Sequence, residues 1–324
     1  MTEEVSLANI SEAHAARVAD IDRWQRMFEF QETQDFNSAQ SYISPNLYDD
    51  ELDKFQRRIC ERTGRWLERE NVLKDWLDEK NVATRVLWMQ GITGAGKTHI
   101  ASMMVEKLRQ SSKTVLFAFL SYQQAHVTPI SILHSLMFQV AVGDEHLDDL
   151  LKRDLRAKVS NAFRSSQRNL KSNTRFAREI LIELLKCAGP AYIVLDGLDE
   201  VAKSEQMVDI LDELLKVLED FAEVKLFLSS RAQEEIAMGL KKASAKEVRV
   251  DERNSGCIQA YVTVTTDKWL SQSGYDEKAC EEIRSLLTPL STKARGMSEY
   301  QDQPYLNVRA NYLRHVSLRQ SCHG

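Results

Sequence analysis

The chain has 324 residues, 43% of them hydrophobic and 28% charged, with a formal net charge of -5. That apolar content buries the core of one large or two ordinary domains and excludes a disordered chain, and no stretch approaches the roughly 18 apolar residues of a membrane span. The acidic balance argues against sequence-independent binding to DNA or RNA as the main task, because such binding neutralises phosphates with a basic surface.

The sequence opens Met-Thr-Glu-Glu and lacks the basic start and apolar stretch of a signal peptide, so the expected address is cytoplasmic. Five cysteines, Cys60, Cys187, Cys257, Cys280 and Cys322, are odd in number and far apart, which reads as reduced thiols rather than a disulfide framework or zinc site. Residues 1–50 form a polar segment, expected to be partly disordered, with amphipathic fragments around Val18 to Phe30 and a loop-like stretch from Asn37 to Asn46. Residues 51–84 form a helical lead-in. There Phe55, Ile59, Trp66, Leu67, Leu73, Trp76 and Leu77 recur at helical spacings, and Gly64 divides the segment into two short helices.

After Arg85 the pattern changes to short apolar runs separated by helical stretches, as in a parallel sheet covered by helices on both faces. The runs are Val86 to Met89, Thr114 to Leu120, Tyr192 to Leu195, Val224 to Leu228 and the weaker Glu247 to Val250. The first four are continuous hydrophobics without alternation, as expected of strands buried on both faces. The covering helices are expected over His99 to Leu108, Ile130 to Val142, Phe176 to Leu185 and Met207 to Leu218.

The first run leads into Gly91-Ile92-Thr93-Gly94-Ala95-Gly96-Lys97-Thr98, which fits G-x-x-x-x-G-K-[ST] at every fixed position. By chance this pattern arises in roughly 1% of chains this long, before its strand-loop-helix context is required. The glycines let successive N–H groups turn onto a phosphate, and the following helix adds its positive end. Lys97 is expected to reach the β- and γ-phosphates and the Thr98 hydroxyl to ligate Mg²⁺, with Gly91, Thr93, Gly94, Ala95, Gly96 and His99 completing the contacts.

The third run ends in Asp196-Gly197-Leu198-Asp199-Glu200. At such a strand tip Asp196 is expected to face the Mg²⁺, and Asp199 or Glu200 to orient or deprotonate the attacking water; otherwise these two simply cap the next helix. The fourth run ends in Ser229-Ser230-Arg231 at the carboxyl edge where ligands of open sheets bind, so Arg231 is expected to sense or stabilise the γ-phosphate; otherwise it is an ordinary surface arginine after a strand. Lys152 to Lys171 holds seven basic residues and one acid, which reads as a solvated helix face or a partner or nucleic-acid patch. His126, His134 and His146 lack ligand spacing and read as packing or surface residues.

With these residues in hand, the chain resembles the NACHT branch of the STAND NTPases, and in particular the nephrocystin-type N-terminal NTPase domain of fungal type. The blocks LWMQGITGAGKTHI, YIVLDGLDE and LFLSSR carry the resemblance, with Thr63-Gly64-Arg65-Trp66-Leu67 and Trp76-Leu77 in the lead-in. Its most specific element is the small residue after Asp196 with further acids downstream. The resemblance implies an α/β three-layer P-loop domain over residues 85–255 with a five-stranded, mainly parallel sheet in the order 5-1-4-3-2, and a helical lid starting at 256–297. It implies ATP or GTP binding with slow Mg²⁺-dependent hydrolysis, ATP- and ADP-bound switch states, and self-association or association with related NTPase domains. By analogy, adenine recognition falls near Thr63 and Gly64. Where relatives continue past a Gly-Met such as Gly296-Met297 into an apolar helix, residues 298–324 are a divergent polar tail, expected from truncation or an altered reading frame. Two rival functions stay open: a non-hydrolysing nucleotide-binding adaptor or decoy, and an ATPase acting on nucleic acid through Lys152 to Lys171.

Overall fold

A computed structural model describes residues 2–59, 64–124, 127–143, 146–251, 253 and 255–293. Cys60, Thr63, His126, Cys322 and the segment 294–324, with Gly296-Met297 and the polar tail, lie outside the described residues, and Cys257 is described in its backbone alone.

The N-terminal segment is one continuous helix, α1 (Thr2–Ile43), in place of separate amphipathic fragments. The lead-in follows as α2 (Asp49–Gln56), a 3-10 turn over Arg65–Arg69 and α3 (Asn71–Leu77). Gly64 opens that turn with φ 72°, a left-handed conformation that suits glycine, which is why the helical periodicity breaks there. The Trp76 side chain of α3 is fully buried edge-on against Tyr192 and Phe227, with ring centroids 5.2 and 6.0 Å away, and its Nε1 donates to the Arg85 carbonyl at 3.2 Å. Lys225 is buried beside it and donates to the Trp76 carbonyl at 2.8 Å, so the end of α3 is tied to the sheet.

The five strands are β1 (Val86–Gln90), β2 (Thr114–Phe119), β3 (Ala191–Asp196), β4 (Val224–Ser230) and β5 (Lys246–Arg249). They form one sheet in the order β2-β3-β4-β1-β5, and every pairing is parallel. This is the expected order, with the sheet parallel throughout. Strands β1 to β4 are buried at every position, the physical basis of their apolar runs, interrupted in β4 by the hydrogen-bonded Lys225, whereas β5 buries Val248 alone and reads as a weaker edge.

Parallel neighbours need crossovers, which helices provide. They are α4 (Lys97–Gln110) after β1; α5 (Pro129–Val142), α6 (Asp149–Ser165), α7 (Gln167–Ser172) and α8 (Thr174–Ala188) between β2 and β3; α9 (Ser204–Asp220); and α10 (Glu234–Lys242) before β5. Local chemistry sets several starts. Thr128 and Ser131 form a capping box around Pro129 at α5, Asp148 accepts from Leu151 N at 2.8 Å at α6, and Asn173 accepts from Phe176 N at 3.1 Å at α8. Beyond β5, α11 (Ser255–Ser273) and α12 (Glu277–Lys293) pair through buried Leu270 and Ile283.

The basic stretch Lys152 to Lys171 lies on α6 and α7, and much of it faces α1. Arg153 bonds Glu32 at 2.7 Å and Glu29 at 3.2 Å, and Arg164 pairs with Asp35. The Arg156 guanidinium stands 5.7 Å from the Phe36 ring centroid, and Lys171 donates to the Tyr42 carbonyl at 3.1 Å. Beneath these polar contacts Phe36 and Ala39 are buried. Of the histidines, His134 is buried with Nε2 2.7 Å from the Leu170 carbonyl, and His146 lies 3.4 Å from the Thr114 hydroxyl, both packing roles. Among the described residues, no helix is long and apolar enough to cross a membrane.

Candidate functional site at the carboxyl edge of the sheet

Strand register brings the chemistry to one edge. Gln90 pairs with Ser230 and with Arg249, and Asp196 pairs with Phe119 and Ser229, so the segments leaving β1, β3, β4 and β5 emerge side by side.

From Gln90 the chain turns through 91–96 into α4. Gly94 has φ 76° and Gly96 φ 87°, in the left-handed region where a side chain is strained, so these positions need glycine for their backbone. Gly91 is needed for space: a Cβ there would lie 3.0 Å from Asp251 Oδ1 and 3.1 Å from the Ala95 Cβ. Ala95 is fully buried and donates its N–H to the Ile92 carbonyl at 3.2 Å, with Thr93 inside the turn so closed. Lys97 begins α4, and its Nζ donates back to the Gly91 carbonyl at 2.8 Å and the Ile92 carbonyl at 3.0 Å. The ammonium thus bridges the mouth of its own loop.

The next residue, Thr98, lies beside the carboxyl of Asp196 at the tip of β3. Asp196 is 3% exposed, and the Ser229 hydroxyl at the end of β4 donates to it. Burial is the largest influence and pushes the Asp196 carboxyl up. The Ser229 hydrogen bond, the neighbouring Thr98 hydroxyl and the Lys97 charge pull it down, the Asp199 charge pushes it up again, and the net direction is upward. A cation bound here would favour the carboxylate.

His99 takes a different place from the rest of the loop. Its ring is 6.4 Å from Phe55 of α2 and 6.5 Å from Tyr261 of α11, and its Nε2 has no hydrogen-bond partner among the described residues. Burial, and then the Arg58 charge, hold the imidazole below its ordinary value, so it is a neutral packing ring between three helices.

Past Asp196, Gly197 has φ 76°, and a Cβ on it would stand 2.5 Å from the Leu120 carbonyl oxygen. The small residue between the acids is therefore dictated by backbone conformation and by the end of β2. Leu198–Glu200 form a 3-10 turn closed by Glu200 N donating to the Gly197 carbonyl at 2.8 Å. Asp199 and Arg231, expected to act separately, are bonded to each other: Arg231 donates its N–H to Oδ1 at 3.0 Å and its Nε to Oδ2 at 2.5 Å. Glu200 stands next to this pair, partly buried.

The loop 91–98, Asp196, Asp199, Glu200 and Arg231 thus share one edge, while His99 turns into the helix contacts. Two residues of the edge carried no sequence expectation. Ser229 was read only as part of the approach to Arg231, yet it holds Asp196. Asp251 accepts from Ile92 N at 2.7 Å; an acid directly after the last strand was the available signal.

Thr98 and Asp196 offer two adjacent oxygen donors, a set that fits Mg²⁺, which commonly takes one or two protein ligands and completes its shell with phosphate oxygens and water. Among the described residues, no cluster of three or more His, Cys, Asp or Glu forms a larger metal site. Chemically, the edge combines a turn of backbone amides at a helix start, a lysine, a hydroxyl–carboxylate pair and a paired arginine, which suits a polyphosphate anion.

A search among curated proteins finds no match. Among solved structures, a chain of the HORMA, CdnC and Trip13 complex from E. coli MS115-1 is 12% identical with a TM-score of 0.33, covering 76% of this chain and 75% of that one. So loose a likeness bears on neither fold nor site. The model of the nephrocystin 3 N-terminal family matches residues 62–231, from just before Gly64 through Arg231. That span is more than half of the 324 residues, and the chain belongs to the nephrocystin 3 N-terminal family.

Proposed function

We propose that this chain binds ATP or GTP with Mg²⁺ on the 91–98 loop and hydrolyses it slowly, as the nucleotide switch of a STAND-type signalling protein with a NACHT-like core. The carrying observation is that the 91–98 loop, with Gly94 and Gly96 in left-handed backbone and Lys97 folded onto the Gly91 and Ile92 carbonyls, shares one sheet edge with the buried Asp196 carboxyl at the tip of β3. That juxtaposition is what a phosphate-bound metal requires of the protein.

In this reading Lys97 exchanges the Gly91 and Ile92 carbonyls for the β- and γ-phosphates. Thr98 and Asp196 hold Mg²⁺ directly or through its waters, and the ion, when bound, offsets charge on the phosphate oxygens. Glu200 orients or deprotonates the water, while Asp199 holds Arg231 for the γ-phosphate. Cytoplasmic residence and self-association, or association with related NTPase domains, belong to the same reading.

A second reading, nucleotide binding without turnover in an adaptor or decoy, draws on the engagement of both Asp199 oxygens by Arg231. Glu200→Gln separates the two. Under the switch reading ATP turnover falls at least about 10-fold while ATP affinity stays within about 2-fold. A wild-type chain that binds ATP and never turns it over supports the adaptor instead. The nucleic-acid reading draws less support, because Arg153, Arg156, Arg164 and Lys171, four of the seven basic residues of its patch, contact α1.

A further inference from the structure

The segment between β5 and α11 returns to the phosphate loop. Gln90 pairs with Arg249, and Val250 N donates to the Gln90 carbonyl at 2.9 Å, so residue 251 arrives beside the first residues of the loop. There Asp251 Oδ1 accepts the Ile92 N–H at 2.7 Å, a contact between residues 159 positions apart.

The same short stretch is gripped from its other side, because the Ile92 and Gly91 carbonyls take the Lys97 ammonium at 3.0 and 2.8 Å. Room for the carboxylate comes from Gly91, where a Cβ would stand 3.0 Å from Asp251 Oδ1 and 3.4 Å from the Val250 Cβ. A carboxylate accepting a backbone N–H is a charge-assisted bond, stronger than the neutral contacts elsewhere in the turn.

The two grips respond oppositely to a polyphosphate. Lys97 is drawn to the phosphates and, in the proposed reading, lets go of the carbonyls. Asp251 is repelled by them and keeps the amide. We infer that Asp251 is the positioning residue that holds the phosphate loop arched once Lys97 has moved to the nucleotide, an inference that rests on the nucleotide-binding reading above. Asp251 acts through the Ile92 amide and touches no nucleotide. Because it lies on the connection into α11, it also ties the loop to the start of the C-terminal helical pair.

The test uses the full chain as wild type, Asp251→Ala and Asp251→Asn, the last keeping an acceptor oxygen without the charge. Three quantities are read: hydrogen exchange of the Ile92 amide, ATP–Mg²⁺ affinity, and the thermal midpoint. Asp251→Ala should lose Ile92 protection and weaken ATP binding about 10-fold or more with little change in midpoint, while Asp251→Asn stays within about 3-fold of wild type. Should Asp251→Ala not fold, Asp251→Leu fills the same space without an acceptor and carries the same expectation.

Wild-type affinity in the acceptor-free variant overturns the inference, as does equal impairment in Asp251→Asn. A wild-type chain that takes up no nucleotide, while Asp251→Ala still deprotects Ile92, overturns the nucleotide reading and this role with it; the two failures are told apart by the wild type.

Discussion

Asp199 and Arg231 form one unit across the ends of β3 and β4, with the backbone N–H and Nε of Arg231 both donated to the same carboxylate at 3.0 and 2.5 Å. The acid side chain is 4% exposed and the arginine side chain 49%, so the carboxylate is the fixed partner and the guanidinium keeps an open flank. Residues acting as a unit give non-additive losses. In the proposed switch, Asp199→Ala and Arg231→Ala should each lower ATP turnover roughly 10-fold, and the double variant should be no worse than either. Multiplying losses in a double-mutant cycle of kcat would contradict the pairing.

Gly197→Ala should destabilise the whole sheet edge. The substitution meets both a left-handed backbone and a carbonyl oxygen, Leu120 O, only 2.5 Å from the new Cβ, and the backbone on either side is fixed by Leu120 N to Asp196 O at 2.9 Å and Gly197 N to Ser229 O at 3.1 Å. A loss of about 2 kcal/mol or more is expected in urea unfolding. A change below about 0.5 kcal/mol would mean that the turn relaxes freely.

Acid should destabilise the chain partly through His99. Its folded pKa lies below the ordinary 6.5, through burial first and Arg58 second. Above that value both folded and unfolded chains carry a neutral imidazole and the group contributes nothing. As pH falls through 6.5 the unfolded chain takes a proton that the folded chain refuses, so stability drops by up to about 1.4 kcal/mol per pH unit. His134 adds to the trend, held down by burial against its bond to the Leu170 carbonyl. Urea midpoints at about pH 7.5 and 5.5 should therefore fall further apart for the wild type than for His99→Leu. Equal spacing in the two proteins would remove His99 from the account.

Helix α1 should be held to α6 by charge as well as by Phe36 and Ala39. Single exposed ion pairs contribute about 0.2–1 kcal/mol, so Glu29→Lys alone should do little. Combining Glu29→Lys, Glu32→Lys and Asp35→Lys reverses the acids facing Arg153 and Arg164 and should make α1 protease-sensitive while the sheet domain stays folded. Continued protection of α1 would show that its apolar contacts suffice.

Much of this was legible in the sequence where one interaction dominated. Strands β1 to β4 read correctly because burial on both faces leaves near-continuous apolar runs, broken in β4 only by Lys225 before its polar end, and the 91–98 turn because Gly94 and Gly96 require left-handed backbones. Contacts between distant segments were not legible. Asp251 meets Ile92 only through the β1–β5 pairing, and nothing local in Ser229 indicates that it will donate to Asp196. His99 looked like part of the turn by adjacency, but helix geometry rotates it away toward Phe55 and Tyr261. The continuity of α1 was hidden because its docking face interleaves acids for Arg153 and Arg164 with few large apolar residues.

The central claim is that the loop from Gly91 to Thr98, with Asp196 beside it, holds a nucleoside polyphosphate. Native mass spectrometry of the purified chain tests it most directly, after incubation with ATP–Mg²⁺ and in parallel with Lys97→Ala. The account predicts one nucleotide per wild-type chain and a loss of occupancy in Lys97→Ala corresponding to at least about 10-fold weaker binding. An empty wild-type chain at millimolar ATP, or equal occupancy in the two proteins, would contradict it.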